Sequence, residues 1–298
     1  MNQLKKLLPI MLISVMFLTG TVVAGTKTTL AAAPKAGQQT DYQNHQYKDV
    51  IQYAIQNKLM WLFPDGNFRP EQPITQADLV SGLVNAKGLT QGKELSEFPA
   101  NHWAMVYYER ALKDGVLDGV PVNPNKVINR EEASLLMYNA WKSTSIGYLK
   151  TRQVYSDAAV DSGWLPKKEG KFVNGVSTTA YDGFGTVSRG EEAYALFLLH
   201  QYMNDIKVGE NIALQFHNSL KVSGGVLKGR IPVVSGKNIR LLIRFNNDTV
   251  TSYYSGDFTV NTSAVKYMSF TVKNSGQSKA IAAYNYDELP HLVRKNTR

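Results

Sequence analysis

Three stretches, ITQAD at 74–78, INREE at 128–132 and VSRGE at 187–191, stand 54 and 59 residues apart. A recurrence on that period requires a repeat architecture, in which one supersecondary unit is stacked on its own near-copies. In each stretch a good N-cap (Thr75, Asn129, Ser188) is followed three residues later by an acid (Asp78, Glu132, Glu191). That is the spacing of a capping box, so each stretch opens a helix.

The units around these starts follow one order. In the first, Val50, Ile51, Ala54 and Ile55 share a helical face, Pro64-Asp65-Gly66 makes a turn, and Pro70 and Pro73 break the chain before the capped helix. In the second, Leu95 to Ala104 leads into a helix through Leu112, Gly115 to Gly119 turns, and Asn123-Pro124 breaks. The third runs from Tyr155 to Trp164, through a loop rich in Gly and Thr, to a helix reaching about Met203. Loop insertion accounts for the longer second period.

The cap and the acid need only local stability. The residue between them is Gln76, then Arg130, then Arg189, and an arginine in a first turn opposes the positive end of the helix dipole. Two roles fit it. A guanidinium fork beside free helix-end N–H groups suits a carboxylate or phosphate ligand, and it also suits a salt bridge to the neighbouring repeat.

Lys5 and Lys6, the apolar run from Leu7 to Leu18 and small residues at Val22-Val-Ala24 read as a signal peptide over 1–24, with a later cut possible near residue 33. An uncleaved anchor is the alternative, weakened by Pro9 and Gly20. Export would give a secreted chain with no membrane segment after cleavage. The 298 residues contain no cysteine, which excludes disulfides, thiolate metal sites and a thiol nucleophile. The expected division is a signal at 1–24, a linker at 25–40, repeats at 41–92, 93–146 and 147–206, and a different domain at 207–298.

Charge marks that last segment. Residues 207–298 carry thirteen Lys and Arg against five Asp and Glu, whereas 41–206 carry sixteen against nineteen. A basic surplus favours anionic partners such as teichoic acid, acidic glycans or membranes, and export makes nucleic acid an unsuitable one. Short alternating runs at 212–216, 220–222, 229–234, 239–245, 249–254, 258–260, 267–272 and 280–284 read as strands of an all-β sandwich or barrel. Arg230, Arg240 and Arg244 could form a cationic strand face or be plain solvated charge.

Nothing in the pattern carries catalysis. The five histidines have no metal-ligand spacing, there is no Gly-x-Ser-x-Gly elbow or phosphate loop, and Gly183-Phe-Gly185 lies in an interrupted loop. No catalytic residue, metal or cofactor is expected, and the chain is read as a non-enzyme.

The repeats resemble the S-layer homology family of bacterial surface proteins. Glu97-Phe-Pro-Ala-Asn-His-Trp-Ala104, Gly115-Val-Leu-Asp-Gly119, Ile128-Asn-Arg-Glu-Glu132, Pro64-Asp-Gly-Asn-Phe-Arg-Pro70 and Ile74-Thr-Gln-Ala-Asp78 carry the likeness, which spans about 41–206. It implies a mainly α, pseudo-threefold trimer of helix-loop-helix repeats whose grooves bind an anionic, pyruvylated secondary cell-wall polysaccharide. It also implies roles: Arg130 and Arg189 for the carboxylate, Trp103 and Trp164 for sugar faces, Asp49, Glu97 and Asp157 for sugar hydroxyls or for orienting the arginines, and Gly115 and Gly119 for close backbone approach. Either tryptophan could instead be a core residue at a helix start. Gln76 departs from the family's arginine, so fewer than three working grooves are expected.

The resemblance places the chain in the cell wall or S-layer of a Gram-positive-type bacterium, as a noncovalent anchor displaying the basic β-domain. Peptidoglycan, teichoic acid or other surface proteins would be partners of that domain. The alternative is a lattice or scaffold subunit whose β-domain self-associates.

Overall fold

The structure, a computed structural model, describes residues 40–99, 101–142, 155–171, 177–178, 181–286 and 294–296. The expected signal peptide, and the expected linker except Thr40, lie outside the described residues. The N-terminal part contains α1 (Lys48–Gln56), α2 (Gln76–Lys87), α3 (Met105–Asp114), α4 (Arg130–Lys142) and α5 (Tyr155–Asp161). A small hairpin follows, β1 (Gly170–Lys171) with β2 (Ser177–Thr178), and then the 31-residue α6 (Arg189–Ser219).

The three expected helix starts are present with their caps. Thr75 and Asp78 exchange side-chain and backbone hydrogen bonds, as do Ser188 and Glu191. At the second start the Glu132 amide donates to Asn129 Oδ1 (2.8 Å) and the Asn129 amide donates to Glu132 Oε2 (3.2 Å). These boxes satisfy amides that a helix end leaves without partners.

The next amides are satisfied between repeats. Gln76 N donates to Lys126 O (2.9 Å), Arg130 N to Gly185 O (2.7 Å) and Arg189 N to Gln72 O (3.0 Å). One residue further on, Ala77 N donates to Pro124 O, Glu131 N to Gly183 O and Gly190 N to Pro70 O. Each helix start is thus bonded to the loop of the following repeat, and the third returns to the first. Isolated β-bridges close the same ring, pairing Thr75 with Val127, Asn129 with Thr186 and Pro73 with Ser188.

One hydrophobic core lies beneath this ring, built from Ile51, Leu59, Phe68, Leu79, Leu83, Tyr108, Leu136 and Leu196 among others. Ile74, Ile128 and Val187, the residues just before the three N-caps, are each fully buried. The buried Lys87 ammonium pairs with Asp114 and donates to Ala140 O (3.0 Å), tying α2 to α3 and α4.

The C-terminal part has two antiparallel sheets. One pairs β3 (Lys221–Ser223), β4 (Val226–Ile231) and β7 (Gly256–Asn261) in the order β3-β4-β7. The other contains β5 (Lys237–Phe245), β6 (Val250–Tyr253), β8 (Val265–Asn274), β9 (Ala280–Tyr286) and β10 (Arg294–Asn296) in the order β10-β9-β8-β5-β6. Alternation is clean in β5, where Ile239, Leu241 and Ile243 are buried between more exposed neighbours, so one face packs and the other meets solvent.

One expected strand is corrected. Residues 212–216 belong to α6, because Ile212, Ala213 and Phe216 fall on one helical face as well as they fit a short buried strand. That face enters the β-domain core, where Phe216 stacks on Phe270 with ring centroids 4.1 Å apart. The boundary expected at 206/207 therefore falls inside a continuous helix shared by both parts. Gly209 permits the contact: a Cβ there would meet Ile281 backbone atoms at 3.0 Å.

Candidate ligand-binding groove

The residues between each cap and its acid act first as staples. Arg189 donates from Nε to Phe68 O (2.8 Å) and from Nη2 to Trp61 O (2.7 Å), and its guanidinium lies 4.7 Å from the ring centroids of both Phe63 and Phe68. Arg130 donates from Nη2 to Pro166 O (2.5 Å) and lies 3.6 Å from Glu191. Gln76 donates to Pro121 O (2.9 Å) and accepts from the Tyr108 hydroxyl and the Asn123 amide. Trp61 and Pro166 are equivalent positions, each three residues beyond a left-handed residue, Lys58 (φ 57°) and Gly163 (φ 77°). The arginines thus reach across to the next repeat's backbone, which explains why a first turn keeps them despite the helix dipole.

Above the Arg189 staple is a cavity of about 230 Å³. Its walls are the first repeat's 59–63 loop, Asp78 and Ser81 of α2, Trp103 of the second repeat, and Arg189 with Glu192 of α6. Three repeats therefore contribute to one groove. Trp103 is 54% exposed and rests against His102 and Tyr107, which fix its ring while leaving surface free. Exposed aromatic rim, apolar floor and a cation behind it make a chemistry suited to a sugar bearing negative charge.

Of the expected site residues, the structure brings Trp103 and Arg189 together in this groove and places the others elsewhere. Arg130 is fully buried and outside it, with burial lowering its pKa against the raising effect of Glu191 and Asp182. Gln76 is buried in its hydrogen bonds. Asp49 and Glu97 are exposed and line no part of the cavity. Asp157 falls in α5, but its side chain lies outside the described residues. Gly115 (φ 86°) is the left-handed C-cap of α3, so its conformation serves the turn; Gly119 (φ 70°) is open to solvent.

Trp164 needs a change of register. It follows the left-handed Gly163, as Leu59 follows Lys58 and Val116 follows Gly115. All three are core residues, and Trp164 is 4% exposed and stacked on Trp141 (5.2 Å, 10°), with no face for a sugar. The resemblance matched it to the helix-start tryptophan, whereas the chain puts it one turn after the helix.

Sequence reasoning passed over Glu192. It occupies the position of Leu79 and Ala133 in the other repeats, four residues after the N-cap, and those two are fully buried. Glu192 is fully buried too, and neither carboxyl oxygen has a hydrogen-bond partner. Burial, then the Asp78 charge, push its pKa up to about 8 against the opposing pull of Arg189, so it is neutral at the groove's inner wall near pH 7. An acid aligned with two aliphatic residues was the available signal.

Against known proteins, no curated protein matches the chain, whereas residues 40–80 match the S-layer homology domain. The match covers α1, the 59–63 loop, the turn and the capped start of α2, and so includes one wall of the groove. S-layer homology domains bind secondary cell-wall polymers or peptidoglycan-associated components and occur in proteins of the cell surface. Residues 40–80 thus match an S-layer homology domain, and a β-rich region lies in the C-terminal part of the chain.

Proposed function

We propose that the chain anchors itself noncovalently to the bacterial cell wall by binding an anionic, pyruvylated secondary cell-wall polysaccharide, and so displays its basic β-domain at the surface. The observation that carries this is the single groove in which exposed Trp103 and the Arg189 guanidinium meet the first repeat's loop. Trp103 stacks on a sugar ring, Arg189 supplies positive charge for the ketal carboxylate, and Asp78 accepts from sugar hydroxyls. The ring of inter-repeat hydrogen bonds supports a pseudo-threefold assembly of three such repeats, in which 93–146 and 147–206 are divergent copies. The two sheets sharing one core support a sandwich.

Titration calorimetry of the whole chain with the isolated polysaccharide tests the ligand class. Binding is expected to weaken about tenfold once the pyruvyl groups are removed, the loss of one charge-assisted contact. Equal affinity for both forms would refute the carboxylate reading.

A further inference from the structure

The basic surplus of residues 207–298 is unevenly neutralised. Arg244 pairs with Asp248 (3.0 Å), which also takes Lys266 (3.3 Å), and Arg230 lies 3.8 Å from Asp257. Arg240 and Lys273 have no ion pair among the described residues, although they lie on adjacent strands. The register pairs Arg240 with Thr271 and Asn238 with Lys273, so Arg240 and Lys273 are diagonal neighbours on one face, at backbone positions roughly 7–8 Å apart. Like charges so placed repel, and no carboxylate among the described residues pairs with either.

The same two residues line a cavity of about 390 Å³ with Lys237, Asn238, Ile239, Thr271 and Tyr254. Lys237 is partly compensated by Asp205 of α6 (3.4 Å) and donates to Asn274. Tyr254 is 65% exposed, a flat ring standing at a polar cavity with no core to enter. A second like-charge pair, Lys221 opposite Lys228, lies on the three-stranded sheet, but neither lines this cavity.

We propose that this cavity is a second polymer site, taking a phosphodiester-linked glycan or polyol chain, with Arg240 and Lys273 on the phosphate and Tyr254 against the adjoining sugar or polyol. Phosphate suits it better than a carboxylate. One arginine fork satisfies a carboxylate, whereas two cations with the Thr271 hydroxyl and Asn238 amide on the same strand face match the several oxygens of a phosphate. The site is on a different domain from the repeat groove and owes nothing to it.

The test is titration of the full chain with poly(glycerol phosphate), with polygalacturonate as a carboxylate polymer for comparison. Arg240→Ala with Lys273→Ala is expected to weaken poly(glycerol phosphate) binding at least about tenfold. Tyr254→Ala is expected to weaken it several-fold, while Arg244→Ala, whose charge Asp248 already answers, and Trp103→Ala leave it nearly unchanged. Unchanged circular dichroism of these surface variants separates binding from folding. The proposal is overturned if poly(glycerol phosphate) does not bind, if Arg244→Ala weakens it as much as the paired variant, or if only Trp103→Ala does. Equal binding of polygalacturonate through the same residues would overturn the phosphate assignment.

Discussion

Arg130 and Glu192 are both buried ionisable groups, and they have opposite effects on stability. Arg130→Ala removes the staple to Pro166 and leaves a void under the ring, so it is expected to destabilise the repeat part by about 3 kcal/mol in urea unfolding. Local capping rules need only Asn129 and Glu132 and assign Arg130 no part in the fold. The staple is a contact between repeats, which no local rule reveals.

Glu192 behaves in the reverse sense. Its carboxyl ordinarily titrates at 4.5 and is raised to about 8 in the folded chain. Between those values the unfolded chain has lost a proton that the folded chain keeps, so stability falls as pH rises from about 4.5 to 8 and then levels off. Glu192→Leu, restoring the aliphatic residue of the first repeat, is expected to add about 2 kcal/mol at pH 7.5 and to flatten that slope. A slope unchanged in the variant would assign the pH dependence to other groups.

The candidate site was legible where its residues do something chemically distinctive and hidden where they resemble core. Trp103 was legible by its helix-start context, and Arg189 by its conflict with the dipole. Trp164 misled because the described third repeat places its tryptophan one position after a left-handed glycine, a backbone fact that composition does not carry.

Among the elements, the capped helices were the most readable, since each start has a side-chain signal that acts within four residues. Seven of the strands could be placed approximately by alternation and by intervening turns, though β10 was not foreseen. The length of α6 was not readable, because 212–216 satisfies both periods and the choice is made by Phe216 meeting Phe258, Phe270 and Tyr286 in the β-domain core. Gly209 marks where that helix touches β9. Gly209→Val is expected to cost about 2 kcal/mol or more, through overlap with Ile281, and to lower the thermal midpoint of the chain. An unaffected midpoint would mean that the helix and β9 do not hold this close contact. Cutting the chain at residue 206 would sever α6 and leave the segment that carries Phe216 into the β-domain core as a helix without its N-terminal turns, so separated halves are poor reagents for assigning wall binding.

For the whole molecule, charge is divided along the chain: the repeats are slightly acidic and the β-region strongly basic. No helix among the described residues is long and apolar enough to cross a membrane. Retention at the surface is proposed to lie with the groove walled in part by residues 40–80. The test is co-sedimentation of the full chain with purified cell walls, before and after the secondary polymer is removed by acid, beside Trp103→Ala. The chain is expected to pellet with intact walls, stripping the polymer to release most of it, and Trp103→Ala to weaken intact-wall binding about tenfold. Undiminished pelleting of Trp103→Ala on intact walls, or of the unaltered chain on stripped walls, would contradict this assignment.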